Sequence, residues 1–269
     1  MNVTLNITCD ENYSPYSIIF VNSLNQNSPG YDIVIRAVNC ETKTIDMMYN
    51  LGDNVTVIDD RPDVSRSRNM LSHGKELVYD GFFSMRGNKT TIRSPKMLCS
   101  EQMAYCSNIK FMTIKELLTD KRRDMIIYMD IDTIIRGTLQ GLISSASMGD
   151  IAMYKDIPYV EQHIGSTRLE DNEVLYHGGL ICVTNNAVTE RLFSQWSDIV
   201  SNDMTNWDVD EDLFYSVHNN KDVNIVCVDI TYKDEDLNDD SIVWSGAGQT
   251  KFTHDKYIEE CKKYSSTFK

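Results

Sequence analysis

Apolar and polar positions alternate over Val3-Thr-Leu-Asn-Ile-Thr8, which predicts a first strand. Ser14 followed by Pro15 predicts an N-cap and a first-turn proline, and the helix after them would turn Ile18, Ile19, Val21 and Leu24 inward. Asp32–Val38 and Asn54–Ile58 read as second and third strands. From Asp59 to Thr91 the pattern fades into a polar, basic stretch that predicts loop, of a length that compact domains use for lids and binding loops. Helices are expected over Ser94–Tyr105 and Ile114–Leu118, and an uninterrupted apolar run, Met125–Met129, predicts a buried strand. Ile151–Tyr154, Leu180–Val183 and Asn224–Val228 read as further strands. Ala187–Val200 is amphipathic, with Leu192, Phe193, Trp196, Ile199 and Val200 on one stripe. Asp210–Val217 and Asp255–Tyr264 complete the predicted helices. Strands alternating with helices imply an α/β class with a mostly parallel sheet flanked by helices, and no repeat, low-complexity tract or linker divides the chain.

Composition narrows the picture. The 269 residues suffice for one sizeable core, and 41% hydrophobic with 25% charged residues is the balance of a globular protein. No apolar run reaches membrane-spanning length, and the amino terminus lacks a basic-then-apolar leader, so a cytoplasmic protein without membrane insertion is expected. Seven scattered cysteines without a Cys-x-x-Cys argue against a disulfide framework or a zinc site. The sequons at Asn2, Asn6, Asn54 and Asn88 carry no weight without secretion. A net charge of −14 disfavours non-specific binding to nucleic acid or anionic membrane. Between Arg61 and Lys96, however, eight Lys/Arg face three acids, which reads either as a solvated loop or as a surface for an anionic ligand. The Asn- and Asp-rich, Pro-poor composition suits a large DNA virus or phage.

The candidate chemistry sits at the end of the apolar strand, in Met129-Asp-Ile-Asp132. Residues two apart on an extended strand share a face, so Asp130 and Asp132 can meet one ligand. Two carboxylates beside an apolar run need a compensating cation, and hard ions such as Mn²⁺ or Mg²⁺ take such oxygens together with a substrate's phosphates. Ligands of open α/β sheets bind at the carboxyl ends of strands.

Asp130-Ile-Asp132 resembles the Asp-x-Asp motif of nucleotide-sugar glycosyltransferases with the GT-A fold, and its surroundings are most similar to glycosyltransferase family 8, which includes glycogenin and bacterial galactosyltransferases. Thr8-Cys-Asp-Glu-Asn-Tyr13 resembles the family's Asp-x-Asn-Tyr. That likeness implies that Asp10 and Asn12 hold the uracil and ribose of the donor and that Tyr13 stacks. Lys110 stands near a family arginine that meets the donor, although lysine cannot make the bidentate contact. Leu175-Tyr-His-Gly-Gly-Leu180 resembles the Asn-Ala-Gly that lines the sugar pocket, with His177 in place of the Asn and Gly178 and Gly179 close to the sugar. In Asp208-Val-Asp-Glu-Asp212, the likeness puts Asp210 on substrate hydroxyls and Glu211 near the anomeric carbon, as nucleophile or as stabiliser of positive charge. Each of these residues also has a bland reading, as turn stabiliser, surface lysine, structural histidine or helix-terminal acid.

The resemblance implies one glycosyltransferase domain with three parts. A donor half covers about 1–135, an acceptor-side half about 136–252, and a C-terminal helix 253–269. Asp130 and Asp132 would hold Mn²⁺ or Mg²⁺, with Ile131 between them against a UDP-sugar. The acceptor could be a glycan, a protein side chain or a modified nucleobase, and the anomeric configuration would be retained. There is one departure. The family's closing His-x-x-Gly-x-x-Lys-Pro-Trp corresponds here to Val243–Phe252, where Gly246, Lys251 and Phe252 match with a one-residue shift and Val243 or Trp244 replaces the histidine. Two other readings compete: a phosphatase of the haloacid-dehalogenase type, and a sugar-nucleotide-binding module without turnover.

Overall fold

The computed structural model describes residues 1–68, 70–71, 76–79, 90–93, 98–156, 175–207, 209–218, 220–246, 248 and 250–266. Half of the basic segment 61–96 lies outside them. The chain opens with β1 (Val3–Asp10), α1 (Ser14–Asn27), β2 (Asp32–Val38), α2 (Thr42–Tyr49) and β3 (Val55–Asp60). Four short strands follow, β4 (Met70–Leu71), β5 (Glu76–Tyr79), β6 (Thr90–Arg93) and β7 (Leu98–Cys99), then α3 (Glu101–Leu118), β8 (Met125–Met129), β9 (Thr133–Ile135) and α4 (Gln140–Ala146). The remainder is β10 (Ile151–Asp156), β11 (Leu175–Thr184), α5 (Ala187–Ser201), α6 (Val209–His218), β12 (Ile225–Val228), β13 (Val243–Ser245), α7 (Thr250–Thr253) and α8 (Asp255–Tyr264).

Seven strands form the main sheet in the order β12–β10–β11–β8–β1–β2–β3. All run parallel except β11, which is antiparallel to both β8 and β10. The central strands are buried along their length: β8 reads as an unbroken apolar run, and β1 buries even the polar Thr4, Asn6 and Thr8 of its alternation. The sheet separates two cores. One joins Leu5, Ile7, Ile127 and Met129 to α1, α2 and α8. The other joins Ile126, Tyr128 and Ile181 to Phe111 of α3, Phe193 and Trp196 of α5 and Phe214 of α6. A small annex, β9 paired with β13, is attached beside the carboxyl end of β8.

Several local expectations change. Tyr13, not Ser14, is the N-cap of α1, and it has no side-chain cap bond; Asp10 instead accepts the N–H groups of Asn12 and Tyr13 at 3.0 and 3.1 Å. The two helices expected over 94–105 and 114–118 are one, α3. Its N-cap Ser100 accepts from the Met103 N–H at 3.2 Å, and residues 94–97 lie outside the described part. Buried Gln102, Asn108, Lys110 and Thr113 make its inner face polar, so no apolar stripe marks it as continuous. Within the expected loop 59–91, β3 runs on to Asp60 and β5 pairs antiparallel with β6, while β4 pairs with β7. Ile199, assigned to the buried stripe of α5, is 53% exposed. Among the described residues, no helix is long and apolar enough to cross a membrane.

Candidate active site

The parallel strands deliver their carboxyl ends to one cleft of about 530 Å³. Its described lining brings together Asp10 and Tyr13 after β1, Lys110 on α3, Asp130, Ile131 and Asp132 after β8, His177, Gly178 and Gly179 on β11, Asp210 on α6, and Lys251 on α7. Residues from six separate stretches of sequence thus converge. Asn12 is exposed and outside the lining; Gly246 is buried and also outside it, with its N–H on the Asp132 carbonyl. Glu211 belongs to α6, but its side chain lies outside the described part.

Asp130 is fixed by the main sheet. Its N–H donates to the Gly179 carbonyl at 2.9 Å, and the Tyr128 hydroxyl donates to its carboxylate at 3.4 Å. A Cβ at Gly179 would collide with the Asp130 carboxylate and stand 2.9 Å from Lys233 Cε, so any side chain there would displace Asp130 or Lys233. Lys233, which sequence reading passed over, is 3% exposed and pairs with Glu235 at 2.8 Å. Burial works against ionisation of Asp130, but the charges of Lys233 and then Lys110 outweigh it and hold the carboxyl below its usual value.

Asp132 is held by the annex. Its carbonyl accepts from the Gly246 N–H at 2.9 Å and from the Tyr257 hydroxyl at 2.6 Å, and its carboxylate is ion-paired to Lys251. Burial, reinforced by the like charge of Asp130, raises its pKa against the pull of Lys251. For Lys251, burial disfavours the ammonium, but the charge of Asp132 prevails and raises its pKa. The Lys251 ammonium also stands 4.8 Å from the Tyr13 ring centroid.

On the opposite wall, Lys110 (2% exposed) pairs with Asp210 at 2.8 Å, and the Ser107 hydroxyl donates to the same carboxylate oxygen at 3.0 Å. The Lys110 ammonium lies 5.4–5.5 Å from the ring centroids of Phe111, Tyr128 and Phe214. A Cβ on Gly178 would come within 2.9 Å of that ammonium and 2.8 Å of Phe214. His177 accepts the Gly179 N–H on Nδ1 at 3.0 Å, with Nε2 3.5 Å from Glu235. Burial, with the charge of Lys233, lowers its pKa to about 4, so the ring is neutral at pH 7. Asp10 spends one oxygen on the turn before α1 and accepts from Gln102 Nε2 at 2.8 Å on the other. This is the turn-building role, and it presents Tyr13 to the cleft.

The donor set fits a divalent ion of the Mg²⁺ or Mn²⁺ kind. Two hard carboxylates lie two residues apart, and the lining carries Asp10, Asp130, Asp132 and Asp210 against Lys110 and Lys251. A diphosphate entering so acidic a cleft would be repelled unless a cation came with it. Among the described residues, no group of three His, Cys, Asp or Glu side chains is arranged to hold an ion. The protein's share would thus be Asp130 and Asp132, with phosphate and water oxygens completing the shell. The annex also revises the expected register of the last motif. Val243 and Trp244 are core residues, each 1% exposed, and the Trp244 indole donates to the Asn238 carbonyl at 2.7 Å. Counting back from Lys251 by the motif's spacing reaches Gly248, whose φ is +47°, and Ser245, whose buried hydroxyl has no hydrogen-bond partner. By that spacing Ser245 is a third residue, beside Val243 and Trp244, that could take the histidine's place.

No protein-family model matches the chain, and no curated protein matches it by sequence. Solved structures do match by fold. The galactosyltransferase LgtC, solved with donor and acceptor sugar analogues, superposes with a TM-score of 0.53 at 12% identity, over 97% of this chain and 95% of that one. Mouse xyloside xylosyltransferase 1 superposes with a TM-score of 0.50 at 11% identity, over 93% of this chain and 99% of that one. The bifunctional glycosyltransferase WbbM gives 0.53 at 14% identity; 97% of this chain is covered, but only 49% of that one. The chain therefore has the GT-A fold of nucleotide-sugar glycosyltransferases, as the sequence resemblance implied.

Proposed function

We propose that this chain transfers a sugar from a UDP-sugar to an acceptor, with Asp130 and Asp132 holding Mn²⁺ or Mg²⁺. The observation that carries the reading is the pair of carboxylates at the tip of β8, lining an acidic cleft together with Lys251, Lys110 and two glycines. The bound ion would supply charge neutralisation for the departing diphosphate, worth several kcal/mol in such sites. Lys251 adds a positive charge beside the same oxygens. Tyr13 offers a ring face to the base, and the turn built by Asp10 sets its position. Gly178 and Gly179 let the sugar approach the backbone, while Asp210, held in place by its ion pair with Lys110, accepts from a sugar hydroxyl. Glu211, one residue on, is the candidate to stabilise positive charge at the anomeric carbon, and retention of configuration belongs to the same proposal. The acceptor is a glycan, a protein side chain or a modified nucleobase.

The test is release of UDP from a panel of UDP-hexoses with Mn²⁺, compared between the unsubstituted protein and Asp130→Asn/Asp132→Asn. Mn²⁺-dependent UDP release that the double variant loses supports the transferase. Release of phosphate from simple phosphomonoesters, with UDP-hexoses left intact, would instead favour the phosphatase reading.

A further inference from the structure

Two buried lysines stand close to the paired acids, but only one of them forms an ion pair with either acid. Lys251 (8% exposed) is ion-paired to Asp132, and Lys233 (3% exposed) packs on Gly179 beside the Asp130 carboxylate. The Lys251 ammonium thus occupies one of the two carboxylates that would bind the cation. A carboxylate oxygen engaged by an ammonium is less available to a metal, and an ammonium engaged by a carboxylate is less available to a phosphate. The two lysines differ in freedom. Lys233 is tied to Glu235 at 2.8 Å, and the Glu235 carboxylate is 3.5 Å from His177 Nε2. Lys251 rides on the four-residue α7, which follows Gly248 in the left-handed region, and its neighbour Phe252 is 54% exposed.

We propose that Lys251 is a resident counter-ion that competes with the divalent cation for Asp132 and passes to the donor's diphosphate when the cation binds, while Lys233 stays paired to Glu235. This rests on the UDP-sugar reading and deepens it. Before loading, Lys251 and Lys233 offset only two of the three charges on Asp130, Asp132 and Glu235. With the cation on the acids, the Lys251 ammonium is released to meet the diphosphate. Cation and nucleotide then promote each other's binding, because each releases the partner that the other needs.

The test separates the two arms. Mn²⁺ alone is titrated into the full chain, with free Mn²⁺ read by electron paramagnetic resonance; UDP is then titrated by calorimetry at saturating Mn²⁺. Lys251→Met should bind Mn²⁺ alone about tenfold more tightly and UDP about tenfold more weakly, within the range of ordinary coupling energies. Lys251→Gln should shift both in the same directions, and Lys251→Arg, which keeps the charge, should leave the Mn²⁺ affinity unchanged. A purely structural lysine would instead lower both affinities. Unchanged or weaker Mn²⁺ binding in both neutral variants, or tightening in Lys251→Arg as well, overturns the proposal. Failure of the unsubstituted protein to bind UDP with Mn²⁺ would sink the UDP-sugar reading instead, and the Mn²⁺-only arm would still report on the lysine.

Discussion

Asp130 and Asp132 are two residues apart, yet different regions of the molecule hold them. Asp130 belongs to the main sheet through Gly179 and Tyr128. Asp132 belongs to the annex through Gly246 and Tyr257. Their carboxyls are pushed in opposite directions, Asp130 below and Asp132 above the usual value. The sheet thus provides a carboxylate anchored by its backbone and held below its usual pKa, and the annex provides one whose charge is shared with a lysine on a short helix. Two acids of identical chemistry acquire different properties from what lies behind them.

Substitutions can break this contrast on either side. The largest effect is expected from Trp244→Ala in the annex, where the fully buried indole lies under the Arg136 guanidinium, 3.8 Å from the ring centroid. Urea unfolding should show a loss of about 3–5 kcal/mol. If the annex places Asp132, Mn²⁺-supported UDP binding should fall as well. Gly179→Ala acts on the sheet side by driving a methyl into the Asp130 carboxylate and Lys233, and should cost about 1–3 kcal/mol. Its UDP binding should suffer even in protein that remains folded; full binding would mean that Asp130 can retreat at no cost to the site. The smallest effect is expected from Tyr257→Phe, which removes one hydrogen bond to the Asp132 carbonyl, for about 1 kcal/mol in thermal or urea unfolding. Gly246 still holds that carbonyl, so Mn²⁺ affinity should change little.

The sheet side was largely legible in the sequence, and the annex was not. Met125–Met129 is an apolar run whose burial follows from its position between other strands, and Asp130 and Asp132 follow from its end; Asp32–Val38 is apolar but for exposed Asp32 and ion-paired Arg36. The annex strands β9 and β13 have three residues each, too few for a period to register, and they exist only because they pair with each other. Lys233 lies in Lys233-Asp-Glu-Asp236, which reads as solvated charge; its burial comes from Gly179 and Asp130, more than fifty residues upstream. The continuity of α3 was hidden because its inner face is polar, with Asn108 bonded to the carbonyls of Met204 and Asn206 and Lys110 bonded to Asp210. The spacing Ser245-x-x-Gly248-x-x-Lys251 was present in the sequence. What singles it out is the positive φ of Gly248 and the contact of Lys251 with Asp132.

The most direct test of the central claim is calorimetric titration of UDP into the unsubstituted protein and into Asp130→Asn/Asp132→Asn, each with Mn²⁺ and with EDTA. The account predicts that the unsubstituted protein binds UDP only with Mn²⁺, and that the double variant, with its melting temperature retained, does not bind it in either buffer. Equal UDP binding by both proteins in EDTA would contradict it.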